Sequence, residues 1–355
     1  MIAGRCWREA PMRTVSWDGG RVVLVDQTKL PERLELIEAD EVERVALAIR
    51  RLEVRGAPAI GVTAAYALAL AAFRSPAVCA EGMLADLETA RRLLAATRPT
   101  ATNLFWALER MMTFARQRIA SGTEGFPEAM LAEAQRMADR DVEVNRRLAE
   151  VGAELIPDGA RILTHCNCGP LCAVDLGTAM APVIHAHRQG RNVHVYTDET
   201  RPRLQGAKLN AWELARAEVP YTLVTDNTAG WLMNRKMIDL VMIGVDRVAA
   251  NGDAAAKIGV YSLAVLARHH GIPFYAVSPT STIDMRIASG AEIPIEERDP
   301  DEVRRIDGNW ITMPDANVLN FAFDVTPNEL ITAIVTEHGV ARPPFRQAFG
   351  SILKR

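Results

Sequence analysis

Two hydrophobic rhythms divide the chain. Up to about residue 153, apolar positions recur every three to four residues, the repeat of a helix with one buried face. This spacing predicts helices over 40–54, 57–73, 80–96, 100–120 and 127–153, interrupted by the turn-rich stretch ASGTEGFPE (120–128). Ahead of them, RVVLVDQTKLP (21–31) reads as a strand of an N-terminal hairpin. From residue 161 the rhythm changes. Short apolar runs at 161–165, 193–197, 221–225, 240–244 and 273–278 alternate with helix-length segments. That alternation predicts strand–helix repeats and a parallel, doubly wound sheet. The expected fold is α/β. A mainly helical domain with a small β-hairpin spans 1–125, and a Rossmann-like domain spans 126–355, entered through a long linking helix. FDVTPNELITAIVTEHGV (323–340) reads as one more strand followed by a capped helix.

Polar residues sit where such a sheet would use them. Cys166, Asp198, Asp226, Asp246 and the pair Pro279-Thr280 each follow one of the five apolar runs. Open parallel sheets bind ligands at the carboxyl ends of their strands, so the five positions converge on one site.

Composition narrows the classes. A chain of 355 residues, 49% of them apolar, suits two domains with substantial cores. A net charge of −3 argues against a general nucleic-acid binder. The N-terminus lacks the sustained apolar core of a signal peptide. The run APAIGVTAAYALALAAF (57–73) is Ala/Gly-rich and just short of spanning length, so a buried helix is expected and membrane contact is not. Five cysteines, three of them within 166–172, do not form a secreted disulfide framework, and a reducing cytoplasm fits. Zinc would draw on Cys166, Cys168, Cys172 and His165. Structural zinc sites usually pair two spaced couples, whereas Cys6 and Cys79 are distant and isolated. Cys168 and Cys172 read as small buried residues. Cys166, at the strand end, is placed to act as a base or nucleophile, with His165 and Asn167 orienting the turn.

Four stretches supply the remaining candidates. VRGAPAIGV (54–62) sets Arg55 beside a glycine turn that opens a helix. Its start would favour an anion at Gly56 and Ala57, against the plainer reading of a surface arginine and a packing turn. TRPTATNLFWAL (97–108) puts Arg98 before Pro99, either as a phosphate ligand or simply at a helix start. In YTDETRPRLQGAKLNAWELA (196–215), Gln205 can bind sugar hydroxyls through its amide, while Glu199 and Arg203 read as a solvated loop. In VMIGVDRVAANGDAAAKIGVYSLA (241–264), Asp246 ends an apolar strand, and burial would hold it protonated as a general acid. A helix cap or a salt bridge to Arg247 is the alternative. Lys257 is expected to begin the next helix and to reach a phosphate.

The stretches RGAPAIG, RPTATNL, THCN, YTDETRPRLQGAKLNAWEL, TDNTAG, GVDRVAANGDAAAKIG and SPTSTID occur in that order. Together they resemble the methylthioribose-1-phosphate isomerase family over roughly residues 12–345. That family is similar in fold to the regulatory subunits of an initiation-factor exchange complex and to ribose-1,5-bisphosphate isomerases. The resemblance implies an aldose–ketose isomerase of methionine salvage, without metal or cofactor, acting on a sugar phosphate as a cytoplasmic homodimer. It makes Cys166 and Asp246 the catalytic pair and Arg55, Gly56, Ala57, Arg98, Gln205, Ala256 and Lys257 substrate-binding positions, with the site expected between the domains. Ala256 stands where the family usually has Asn, and Phe321 where it commonly has proline. Cys168, Pro170 and Cys172 also depart from its pattern. Three readings compete: an isomerase of a related sugar 1-phosphate such as 5-deoxyribose 1-phosphate, a non-catalytic sensor, and a zinc protein.

Overall fold

The computed structural model describes residues 13–98 and 101–354. Cys6 and Pro99 therefore lie outside the described residues. Two compact units are present. The first runs to Glu143 and takes in Pro170–Gly177; the second holds Val144–Gly169 and continues from Thr178. The division falls inside the long helix expected to link the two halves.

The first unit opens with β1 (Val15–Asp18), β2 (Arg21–Val25) and β3 (Leu36–Ala39), an antiparallel sheet in that order. Gly19 and Gly20 join β1 to β2 with φ of 51° and 83°. Positive φ at both central residues is what a two-residue hairpin turn of the right twist requires. Five helices follow: α1 (Val42–Arg50), α2 (Ala57–Arg74), α3 (Ala80–Ala95), α4 (Thr102–Ile119) and α5 (Phe126–Ala153). The expected buried helix is α2. Every residue from Ala59 to Ala72 is buried, and the helix packs against α1, α3 and α4. Its alanines and Gly61 let those neighbours approach closely: a Cβ at Gly61 would lie 3.1 Å from the carbonyl oxygen of Asn103 in α4.

In the second unit β4 (Arg161–Thr164), α6 (Met180–Arg188), β5 (His194–Asp198), α7 (Ala211–Arg216), β6 (Tyr221–Val224), α8 (Ala229–Asn234) and β7 (Leu240–Gly244) come first. Then come β8 (Arg247–Ala249), β9 (Ala254–Lys257), α9 (Val260–His270), β10 (Phe274–Val277) and β11 (Ile283–Asp284). The chain closes with α10 (Asp301–Arg304), β12 (Arg305–Ile306), β13 (Asn309–Trp310), β14 (Phe323–Thr326), β15 (Ala333–Thr336), β16 (Gly339–Ala341) and α11 (Phe345–Ile352).

Seven strands form one sheet in the order β16-β15-β10-β7-β4-β5-β6, parallel except for β16. The chain starts at β4, runs outward to β6, then crosses back to β7 and outward to β15. The order reverses between β4 and β7, the switch point where a doubly wound sheet opens a crevice. Alternate side chains feed two cores, as a sheet covered on both faces demands. Val241 and Ile243 enter one with α8, α9 and α11; Leu240 and Met242 enter the other with α6 and α7.

Two expectations are corrected. Lys257 does not begin a helix; it closes β9, which pairs with β8 and β14 in a second sheet ordered β11-β8-β9-β14. The helix-favouring AAAK segment is overridden by long-range pairing of Lys257 with Phe323. In the segment 323–340 the expected strand is present as β14, but the expected α-helix is not. After β14 a single 3₁₀ turn at Asn328–Leu330 leads into β15, whose four residues are all buried beside β10.

Candidate functional site

The turn after β4 is built around Cys166. Its φ of 67° is left-handed, and its N–H donates to Oγ1 of Thr200 at 2.9 Å. Thr200 is fully buried, has φ of 63°, and passes its own hydroxyl hydrogen to the carbonyl of Asp198. Both Asp226 carboxylate oxygens are spent on this turn, accepting the N–H groups of Thr200 and Arg201 at 2.7 Å each. The ends of β4, β5 and β6 are thereby locked together. On the other flank Asn167 donates to the buried Glu213 of α7. Gly169 lets that carboxylate in, since a Cβ there would meet Glu213 Oε2 at 2.3 Å.

The register brings the other half of the predicted pair alongside. Ile162 pairs with Leu240 and Leu163 with Val241; continued, that register sets Cys166 level with Gly244, two residues before Asp246. The contact is close, for a Cβ on Gly244 would lie 2.7 Å from Cys168 Sγ. Cys168 is thus the small buried residue expected, and Cys172 is buried too. Asp246 is half-buried, and its N–H donates to the carbonyl of Ala255. A strand follows it, so it caps no helix, and Arg247 pairs with Asp284 at 2.6 Å.

Gln205 is 6% exposed, and its Oε1 finds no partner among the described residues. A buried amide oxygen without a partner is costly unless a ligand supplies the donor. Its neighbour Gly206 is pressed onto the chain: a Cβ there would come within 1.6 Å of the Asp198 carbonyl. Ala256 is fully buried in β9 opposite Asp324. The Lys257 ammonium stands 4.7 Å from the Phe323 ring centroid.

His165 and Asp198 form a buried pair that sequence reasoning left in the background. Nδ1 of His165 meets Oδ2 of Asp198 at 3.0 Å, and Nε2 meets the carbonyl of Ile258 at 3.0 Å. Burial works to lower the His165 pKa, but the hydrogen bond and charge of Asp198 outweigh it and hold the pKa above its ordinary value. Burial pushes the Asp198 carboxyl up to about 6 against the pull of His165. The Asp226 carboxylate reaches the same cluster within 4.8 Å. Most of its ligand atoms are already engaged: both histidine nitrogens, Asp198 Oδ2 and both Asp226 oxygens have hydrogen-bond partners, which leaves Asp198 Oδ1 alone without one among the described residues. The cluster suits a hydrogen-bonded network and does not fit a metal centre.

The first unit holds the remaining candidates. Gly56, with φ of 93°, precedes α2, and a Cβ there would collide with the Cys172 carbonyl at 2.3 Å. Arg55 and Ala57 flank it, half-buried. Arg98 is half-buried in the segment after α3, and α4 starts only at Thr102. In the second unit, Asp324 was not legible as a site-shaping residue. It accepts the N–H groups of Gly259 and Tyr261 at the start of α9.

Known proteins resemble the chain throughout. A family model described as the initiation factor 2 subunit family matches residues 53–343. A relative from Chloroflexus aurantiacus, named methylthioribose-1-phosphate isomerase, is 51% identical over 95% of this chain and 97% of its own. The crystal structure of 5-methylthioribose 1-phosphate isomerase from Pyrococcus horikoshii OT3 has a TM-score of 0.90 at 44% identity, covering 98% of this chain and 97% of that one. A structure described as translation initiation factor eIF-2B, subunit delta, from A. fulgidus has a TM-score of 0.87 at 41% identity, covering 97% and 100%.

Proposed function

The chain belongs to the initiation factor 2 subunit family and, within it, to the methylthioribose-1-phosphate isomerases, and from that premise we propose how it acts on its substrate. It is an aldose–ketose isomerase that converts 5-methylthioribose 1-phosphate to 5-methylthioribulose 1-phosphate in methionine salvage. The observation that carries the mechanism is the placing of Cys166 and Asp246 at the adjoining carboxyl ends of β4 and β7, on the switch point of the sheet.

The chemistry calls for such a pair. The substrate is a furanose whose anomeric oxygen carries phosphate, so it has no hydroxyl proton to lose and cannot open as a free sugar does. The bond from C1 to the ring oxygen breaks when that oxygen takes a proton, and Asp246 is the donor in this reading. Hydrogen then passes from C2 to C1, and the C2 hydroxyl becomes the ketone. Cys166 either carries that hydrogen as a proton through an enediol-like state or stabilises a direct hydride shift. Deuterium at C2 separates the routes: a shift delivers it to C1, whereas thiol transfer exposes it to solvent exchange. Gln205 supplies its unpartnered amide oxygen to a sugar hydroxyl, and Lys257 its charge to the phosphate. By motif resemblance Arg55, Gly56, Ala57 and Arg98 are assigned to substrate as well. A cytoplasmic homodimer completes the proposal, and light scattering on the purified protein tests its oligomeric part.

The decisive assay follows purified protein by NMR with methylthioribose 1-phosphate and 5-deoxyribose 1-phosphate in parallel. Conversion of the methylthio sugar to its ketose is expected. Comparable rates on both sugars would mark a broader isomerase, since one small apolar substituent is worth only about 1–3 kcal/mol of discrimination. Tight binding without turnover would overturn the enzyme reading in favour of a sensor.

A further inference from the structure

We propose that His165 is a positioning residue of this reaction: clasped by Asp198 at Nδ1, it uses its Nε2–H to tie the Ile258 carbonyl, and with it the Lys257–Gly259 turn, to the strand end that carries Cys166. The inference rests on the reading of Lys257 as a phosphate ligand and Cys166 as the reactive thiol.

The direction of each bond follows from the partners. A carbonyl only accepts, so Nε2 must carry a hydrogen to make its 3.0 Å contact with Ile258. Asp198 takes the other side of the ring through Oδ2 at 3.0 Å. With both nitrogens engaged and 2% of the residue exposed, the ring has one orientation. Asp198 is itself held, because its carbonyl accepts the Thr200 hydroxyl and the backbone of Gly206 is pressed against it.

The bond spans two sheets. His165 follows β4 of the seven-stranded sheet, while Ile258 follows β9 of the four-stranded sheet. The turn around Ile258 is shaped to receive the imidazole. Gly259 has φ of 104°, and a Cβ there would stand 3.2 Å from both Cε1 and Nε2 of the ring. Two further bonds hold the turn within its own sheet and helix: Ile258 N–H to the Ala322 carbonyl at 3.1 Å, and Gly259 N–H to Asp324 Oδ2 at 2.7 Å. The histidine adds the tie to the thiol's strand. One residue before Ile258 stands Lys257, and one residue after His165 stands Cys166. Beside the bond from the Asp246 N–H to the Ala255 carbonyl, the ring is thus a direct tie between the turn that carries the group that would anchor the phosphate and the strand end that carries the group that would handle hydrogen at C1 and C2. Small errors in the spacing of such groups are costly to turnover.

Amide substitutions separate the two ring nitrogens. Asn places a donor near the Nδ1 position, and Gln places one near Nε2. His165→Asn keeps the Asp198 bond and releases Ile258; His165→Gln keeps the tie. The measurement is KM and kcat for both variants, with melting temperature and the iodoacetamide alkylation rate of Cys166, beside Lys257→Ala. His165→Asn is expected to raise KM on the order of tenfold, the scale of one lost charged hydrogen bond, with Cys166 alkylated at the wild-type rate. His165→Gln is expected to restore KM to near wild type. Wild-type KM in His165→Asn, while Lys257→Ala raises it, overturns the positioning role and leaves the substrate reading standing. Equal impairment of both His165 variants with equal loss of melting temperature overturns it in favour of a purely structural histidine. An unchanged KM in Lys257→Ala overturns the reading of Lys257, and the proposal with it.

Discussion

The N–H of Cys166 donates to Oγ1 of Thr200 at 2.9 Å, and both residues hold left-handed backbone, with φ of 67° and 63°. For a β-branched residue that conformation is strained, and it persists because neighbours over-determine it. Asp226 takes the N–H groups of Thr200 and Arg201, and the Thr200 hydroxyl bonds back to Asp198. Thr200→Val keeps the shape but leaves the Cys166 N–H without its acceptor. A loss of about 1–3 kcal/mol in urea unfolding is expected, with slower turnover, and Thr200→Ser should recover most of both. If the valine variant turns over at the wild-type rate, Thr200 does not support the thiol.

The pair of residues on the switch point should fail separately and cleanly. Cys166→Ser and Asp246→Asn are each expected to unfold like the wild type yet to lose about a hundredfold or more in kcat, the usual cost of removing a general acid or base. Steady-state kinetics beside thermal melts decides it, and a variant within a few-fold of wild type leaves the mechanism. Arg98→Ala should act on KM instead, because its proposed role is to bind phosphate.

Gly206 and Gly350 make a matched test of close packing. A methyl group on Gly206 would meet the Asp198 carbonyl at 1.6 Å, backbone against backbone, with no side chain to move aside. Gly206→Ala is expected to cost more than about 4 kcal/mol or to prevent folding, a size reached only by severe steric or polar defects. Gly350 lies in α11 with nothing within 4 Å of its added Cβ. Gly350→Ala should therefore stabilise by about 0.5–1 kcal/mol through helix propensity. Chemical denaturation of both variants reads the contrast.

The parts of the fold legible in the sequence are those that write a local pattern. β7 and β10 are buried on both faces, so LVMIG and PFYAVS stand out as short apolar runs. The strand-end placing of Asp246 follows from LVMIG, and that of Cys166 from the apolar run at 161–165. The four-stranded sheet left no such trace. β9 is AAAK, helix-favouring by composition, and becomes a strand only because Phe323–Thr326 pairs with it from far along the chain. β11 is two residues long. The His165–Asp198 pair was illegible for a related reason: it joins residues 33 apart through burial that neither neighbourhood announces. Thr200 gave no signal, since its value lies in a hydroxyl that bonds to the backbone of Cys166 and Asp198, contacts set by the fold and by no local pattern.

Stability against pH should show the His165–Asp198 proton directly. Both groups have raised pKa values, His165 through Asp198 against the cost of burial, and Asp198 through burial, to about 6. A raised folded pKa stabilises below the unfolded value and loses that contribution as pH rises through the folded one. The Asp198 contribution is therefore full below about pH 3.9, its ordinary value, and lost as pH rises through about 6, whereas that of His165 is full below about pH 6.5 and lost as pH rises through its raised value. Asp284 works in the opposite sense. Hydrogen bonds from Arg286 and then Arg247 hold its carboxyl far below the usual range, so its contribution is present near neutrality and lost as pH falls in strong acid. Melting temperature should accordingly decline on both sides of the weakly acidic range. His165→Gln carries no titrating ring, so its deficit relative to wild type should shrink as pH rises from about 6 to about 9. A deficit constant across that range would show that the pair keeps its proton throughout, and that the alkaline decline belongs to other groups.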